Sequence, residues 1–358
     1  MSHAAPPGRW WQPLHVVEWQ AMRRLQRFEL FTAILHGVQC IIVLVAILSW
    51  GDSFTVPLYI PYVTWPERGS ADQLFTPKQF PDGSIDITLC LFGFFLLSFL
   101  FQLLAVTFWW TKFSFLLLEW YVQPFRWIEY SLSASLMAIV FAVLNGIRET
   151  TFLYNIFLEF FTCMMLGLIQ EVLMGFYKRR QFEIQQLVDD DKIMKQKLRQ
   201  SQRQGNQERN DRFRNEMTDT LNEGLQDAIT FLDGQTDLAA KRTDIGLLVF
   251  LPHILGWFPF ISATSVFMVS FSLAVSYGPS RPPAWVYCLY SFQFVIMSLF
   301  AVVQFYEQAH IFKAKTAEAC RRYAIRAEFA YTVLSLLAKS VLCWVLFANM
   351  IAEHSIKY

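Results

Sequence analysis

Charge is what this sequence has least of. Only 16% of its 358 residues are Asp, Glu, Lys or Arg, against 54% hydrophobic and 17% aromatic. A soluble domain carries about 25% charged residues. Scarce charge combined with long apolar runs excludes an ordinary soluble fold and places the chain in the membrane class. The mean hydropathy of +0.33 agrees.

Other absences narrow the function. The six cysteines (Cys40, Cys90, Cys163, Cys288, Cys320 and Cys343) are scattered, with no CxxC and no metal-ligand spacing. They read as small apolar packing residues rather than a zinc or redox centre. Residues 1–27 hold four arginines and three prolines and no continuous apolar core, so they are not a secretory signal peptide. There is no Gly-rich phosphate loop, no HExxH and no nucleophile elbow, so no enzymatic activity is expected. A net charge of +1 points to no nucleic-acid partner. No Asp-Arg-Tyr follows the third apolar stretch, which argues against a ligand receptor of the animal type.

Seven stretches of the required length, roughly 20 residues, are present: 28–50, 85–111, 122–145, 151–177, 244–272, 283–307 and 327–350. Backbone groups in lipid must be satisfied internally, so these are helices. The expected fold is an all-α, seven-transmembrane-helix bundle with membrane lipid around it. Of the 30 Lys and Arg, 24 fall in segments on the N-terminal side of the bundle and 5 on the other. That asymmetry places the N-terminal segment 1–27 and the 178–243 insertion in the cytoplasm, and the 51–84 link and the tail 351–358 outside. The 51–84 link carries Pro57, Pro61, Pro66, Pro77 and Pro81 and reads as an outer cap with a short hairpin. The 178–243 insertion has 13 basic and 12 acidic residues. Phe213, Met217, Leu221, Leu225, Ala228 and Leu232 follow helical spacing, and Leu187, Asp191, Met194 and Leu198 follow it less well. Two readings stay open: a helical hairpin extending the fourth and fifth helices, or a solvated linker with partial helix. As a hairpin it is a candidate surface for a cytoplasmic partner.

The remaining basic residue is Lys339, in the middle of the seventh stretch. A charge at the bilayer centre costs about 2.5 kcal/mol or more, so such a residue is a functional-site hypothesis by default. An unprotonated lysine amine is the nucleophile that forms a Schiff base with a carbonyl compound. The alternative is a lysine that snorkels or pairs between helices. A buried cation needs an anion, and Glu129 in the third stretch is the best candidate. Ser133, one turn on, is placed to hydrogen-bond it. Arg126, three residues before Glu129, offers a competing ion pair.

These residues also carry a resemblance. The run 126–137 (RWIEYSLSASLM) resembles the third-helix signature of heliorhodopsins, and 335–340 (SLLAKS) resembles their retinal-lysine motif. Further similarity lies in 23–25 (RRL) with Leu35, His36 and Gln39, in 165–171 (MLGLIQE), in 256–260 (GWFPF), in 285–287 (WVY) and in 300–304 (FAVVQ). It spans all seven helices and leaves 178–243 uncovered. The inverted orientation read from charge, opposite to animal opsins and the usual microbial rhodopsins, is a hallmark of that family. The resemblance implies that Lys339 bears all-trans retinal as a protonated Schiff base, that Glu129 is its counterion, and that Ser133 and Ser335 are polar neighbours. It implies that Phe260 and Met165 wall the retinal pocket, and that His36, Ser98, Gln102 and Arg126 belong to a polar cavity on the cytoplasmic side. Family members often dimerise, so a homodimer is expected, although no motif decides it.

Departures matter too. Family members usually have a second cavity histidine four residues after the second-helix serine. Here Ser98 is followed by Gln102, whose amide does not titrate near neutral pH. The family's fifth-helix tryptophan is Phe260. His253 reads as a satisfied interior histidine, with cavity lining as the alternative. Familiar microbial pumps carry a second carboxylate one turn before the lysine and a donor carboxylate eleven residues after the counterion. Those positions are Ser335 and Val140. The expectation is therefore a light sensor with a slow photocycle. A light-gated proton or ion channel, lined by Glu159, Glu171 and Glu328, is the alternative.

Overall fold

The computed structural model describes residues 16–50, 55–64, 76–204, 248–278 and 281–357. Helix α1 (Val16–Trp50) leads to a two-stranded antiparallel hairpin, β1 (Thr55–Thr64) and β2 (Thr76–Asp86). Then come α2 (Ile87–Val106), the short α3 (Trp110–Phe115), α4 (Pro124–Leu144), α5 (Thr150–Gln204), α6 (Leu251–Tyr277), α7 (Ala284–Lys313) and α8 (Ala317–Lys357). Seven helical segments among the described residues are long and apolar enough to cross a membrane: Glu18–Ser49, Ile87–Val106, Pro124–Leu144, Thr150–Lys197, Leu248–Tyr277, Ala284–Lys313 and Ala317–Asn349.

The bundle is apolar outside and buries a minority of polar residues in a largely apolar interior. On α1, Glu29, Thr32, His36 and Gln39 are buried, while Ile34, Ile41, Val45 and Leu48 are exposed. Period 3.6 puts the two sets on opposite faces. Water would select the reverse, so the outward face is built for lipid, and the buried polar residues are the informative ones.

Local chemistry fixes the ends. Asp86 caps α2, accepting from the Leu89 amide at 3.1 Å. Pro124 opens α4, where its missing N–H costs nothing, and Gly146 (φ 82°) follows the helix end. Pro259 interrupts the backbone ladder inside α6. The hairpin pairs Thr55 with Asp86 and Thr64 with Thr76. A two-stranded sheet consists only of edges, which is why it tolerates Pro57, Pro61, Pro77 and Pro81. Tyr59 N–H donates to the Arg148 carbonyl at 3.1 Å and so pins the hairpin to the α4–α5 turn.

Two features depart from the sequence reading. The second stretch does not run to 111: α2 ends at Val106, and α3 starts after a turn. Leu116–Trp120 then forms a π-helical turn, and Tyr121 takes a left-handed backbone (φ 56°). This irregular segment lies against α5 at Gly175, where an added Cβ would stand 2.3 Å from the Trp120 carbonyl oxygen. The fourth helix runs far past 177, to Gln204, as the hairpin alternative requires of its first half. The returning half, with Phe213 to Leu232, lies outside the described residues.

Candidate functional site

Lys339 and Glu129 meet. Lys339 Nζ donates to Glu129 Oε1 at 2.5 Å and to Ser98 Oγ at 2.6 Å. The Ser98 hydroxyl lies 2.7 Å from Glu129 Oε1 and 2.9 Å from the Phe94 carbonyl. Lys339 and Glu129 are 3% and 2% exposed, so this cation and anion share one desolvated site built by α2, α4 and α8. A charge-assisted bond of this kind is roughly twice as strong as a neutral one. Lys339 Nζ also stands 5.2 Å from the Tyr130 ring centroid. Tyr130 Oη donates to the Tyr331 carbonyl at 3.1 Å, which fixes that ring.

Two expectations change here. The hydroxyl beside Glu129 belongs to Ser98, not Ser133. Ser133 is fully buried and its Oγ bonds no protein group. Ser98 thus leaves the polar cavity for the charge pair itself. Ser335 is buried on the Lys339 side of α8, with its hydroxyl toward Tyr130.

Arg126 does not pair with Glu129. Its guanidinium donates to Glu171 of α5 and Glu328 of α8, and it stacks 3.9 Å above the Tyr331 ring. The Gln123 amide adds a bond to Glu171 Oε2 at 2.9 Å. Neither glutamate merely caps a helix end, because one arginine holds both inside the bundle. A cavity of about 30 Å³ lies between this cluster and the charge pair. Glu29, Gln102, Arg126, Glu129, Glu328 and Thr332 line it. His36 does not. It packs against Phe95, with Nδ1 3.2 Å from Gln39 Oε1, and Gln39 Nε2 donates to Ser340 Oγ at 2.8 Å. Glu159 lies apart, accepting from Ser262 of α6 at 2.7 Å.

Two apolar cavities lie in the bundle near Phe300 and Met297. Tyr130 meets Phe300 edge-on at 5.3 Å, and Phe300 lines a cavity of about 40 Å³ with Trp127, Met164, Trp257, Phe260 and Met297. Met297 also lines a second cavity of about 30 Å³, with Phe141, Phe160, Phe267 and Tyr290. Phe260 lines the first of these cavities. Met165 does not, because its neighbour Met164 faces the cavity instead. His253 Nδ1 lies 3.3 Å from Gln304 Oε1, and Gln304 Nε2 donates to the Gly167 carbonyl at 2.8 Å, so this histidine has a polar partner. These residues fit retinal: a buried amine for covalent attachment, an anion 2.5 Å away, and an aromatic, thioether-lined cavity beyond Tyr130.

Glu29, Glu307 and Gln304 were not singled out from the sequence. Glu29 was visible as a carboxylate at the edge of the first apolar stretch. Glu307 closed the sixth, where an end position suggests solvent rather than the 2% exposure it has.

A search of the curated proteins returned no match. The family model of heliorhodopsins matches residues 25–185 and 228–351. It covers every helix of the bundle and narrows the unmatched internal stretch from 178–243 to 186–227. With that coverage and seven membrane-length helices, the chain belongs to the heliorhodopsin family and is an integral, multi-pass, retinal-binding membrane rhodopsin.

Proposed function

We propose that the protein is a light-sensing photoreceptor in which Lys339 carries all-trans retinal through a protonated Schiff-base linkage and Glu129 is the counterion. The buried Lys339–Ser98–Glu129 cluster is the observation that carries this. Retinal supplies visible absorption and light-driven isomerisation. Glu129 neutralises the positive charge at Nζ, and Ser98 orients the carboxylate. Tyr130, Phe300, Met164 and Phe260 exclude water along the apolar cavity. Any displacement of Nζ weakens a 2.5 Å ion pair in a desolvated site, and that imbalance is what drives proton shift and helix movement.

Sensing without pumping rests on Ser335 and on Val140, which is fully buried among apolar neighbours where a pump would need a donor carboxylate. The basic-residue asymmetry supports an N-terminus in the cytoplasm. The α5 extension past Lys178 and the insertion that follows it are then positioned for a cytoplasmic partner.

The absorption spectrum of protein purified with all-trans retinal tests the attachment: a visible band that hydroxylamine bleaches is expected. Illuminated cells should show no protonophore-sensitive pH change. A light-gated conductance is the second reading, favoured by the polar line from Glu129 through the cavity to Arg126 and Glu171. Against it, Val43, Leu91, Val140, Leu342 and Leu346 close the core at the other end. A reproducible photocurrent under voltage clamp would overturn the sensor in favour of the channel.

Glu129→Gln is expected to move the visible band to the red by on the order of tens of nanometres, because an anion beside Nζ holds the positive charge there. A spectrum that barely moves would mean that another group is the counterion.

A further inference from the structure

Gln102 lines the cavity beside the charge pair and its amide does not titrate near neutral pH, so the question is which other group there exchanges a proton. The cavity answers it with a residue on α1. Glu29 is buried, 5% exposed, and lines the same cavity as Gln102 and Glu129. It accepts from the Thr332 hydroxyl of α8. Thr332 precedes Lys339 by seven residues, about 10 Å along the helix.

The other carboxylates of this region are engaged by cations. Glu129 pairs with Lys339, and Glu171 and Glu328 pair with Arg126. Protonating Glu171 or Glu328 breaks an ion pair and leaves Arg126 short of an anion inside the bundle, a costly change. Glu307, buried on the α7 side, is absent from the cavity lining. His36 faces Gln39 and Phe95, away from the cavity. Glu29 is the cavity carboxylate whose partner is a neutral hydroxyl. Gln102 stands beside it with its Oε1 buried and bonded to no protein donor, so the amide is free to relay a hydrogen bond between Glu29 and the charge pair.

We propose that Glu29 is the proton acceptor of this protein: after light absorption it takes up the proton that leaves the Lys339 nitrogen. This rests on Lys339 carrying retinal. The N–H bond at Nζ breaks and its electron pair stays on nitrogen. An O–H bond forms on a Glu29 carboxylate oxygen. One positive charge at Nζ and one negative charge at Glu29 disappear together, so the buried region keeps its net charge. Glu129 remains an anion, and the proton ends on a carboxylate across the cavity from the charge pair, which slows its return. That suits a long-lived signalling state better than transfer to Glu129 at 2.5 Å.

The test is infrared spectroscopy on four proteins: wild type, Glu29→Gln, Glu129→Gln and Thr332→Val. In the retinal-bound wild type, illumination should produce one new carboxylic-acid C=O band. Glu29→Gln should lose that band while its visible absorption stays close to wild type. Thr332→Val should keep the band and shift its frequency, since one hydrogen bond is removed and the acid remains. A band that persists in Glu29→Gln and disappears in Glu129→Gln would overturn the proposal, as would no new acid band in any variant. The retinal-free proteins give a second readout. A pH titration of the carboxyl bands should show one titrating group fewer in Glu29→Gln, and identical titrations would overturn the proposal. Absence of any visible band in the wild type would instead sink the retinal attachment, and the retinal-free titration would still decide whether Glu29 exchanges a proton.

Discussion

Lys339→Ala is expected to abolish the visible absorption band entirely while the bundle still folds. The side chain lost is the one buried amine beside Glu129, and no other lysine among the described residues shares that site. The substitution also leaves Glu129 facing only the Ser98 hydroxyl, and an uncompensated buried charge costs about 3–5 kcal/mol. Compared without retinal, Lys339→Ala should therefore melt below the wild type. Adding Glu129→Gln removes the orphaned charge. The double variant should recover most of that loss and still show no visible band. Colour and stability thus separate: one needs the amine, the other only charge balance. A visible, hydroxylamine-sensitive band in Lys339→Ala would show that the chromophore is attached elsewhere. An unchanged melting temperature would show that the pair contributes little to stability.

The charge pair was legible in the sequence because both residues break apolar runs, and in lipid such a break is expensive enough to demand a reason. Their partners were not, and the causes are geometric. Ser98 donates from a different helix, and a serine in an apolar helix carries no pattern that says which way it points. The choice between Met164 and Met165 is one residue, but one residue turns the side chain by about 100° around the helix axis, from the cavity toward another surface. The π turn at Leu116–Trp120 and the left-handed Tyr121 have neither glycine nor proline to announce them. They follow from tertiary contacts, with Arg321 donating to the Leu118 carbonyl at 3.2 Å and to Glu119 at 2.9 Å. Arg126 was read as a polar-cavity residue, with Glu129 only as a competing ion-pair partner. Spacing along one helix offered Glu129, three residues away, whereas the bundle supplied two carboxylates from α5 and α8.

That arginine carries the second large effect. Arg126→Ala is expected to destabilise the retinal-bound protein by about 3–5 kcal/mol, read as earlier thermal loss of the visible band in detergent. Three consequences add. Glu171 and Glu328 are left as buried carboxylates without their cation. Glu307, already buried nearby with one oxygen unpartnered, loses the same positive charge. Tyr331 loses a guanidinium 3.9 Å above its ring, a contact worth about 2 kcal/mol when desolvated. Arg126→Lys should fall between wild type and alanine. An ammonium keeps the charge, but it lacks the planar fork that reaches two carboxylates at once while lying flat on an aromatic ring. Glu171→Gln combined with Glu328→Gln in the Arg126→Ala background should recover stability, because no unpaired charge then remains at those positions. If Arg126→Ala melts with the wild type, the cluster is no tie between α4, α5 and α8. If alanine and lysine are equally damaging, the bidentate geometry rather than the charge is what the bundle requires.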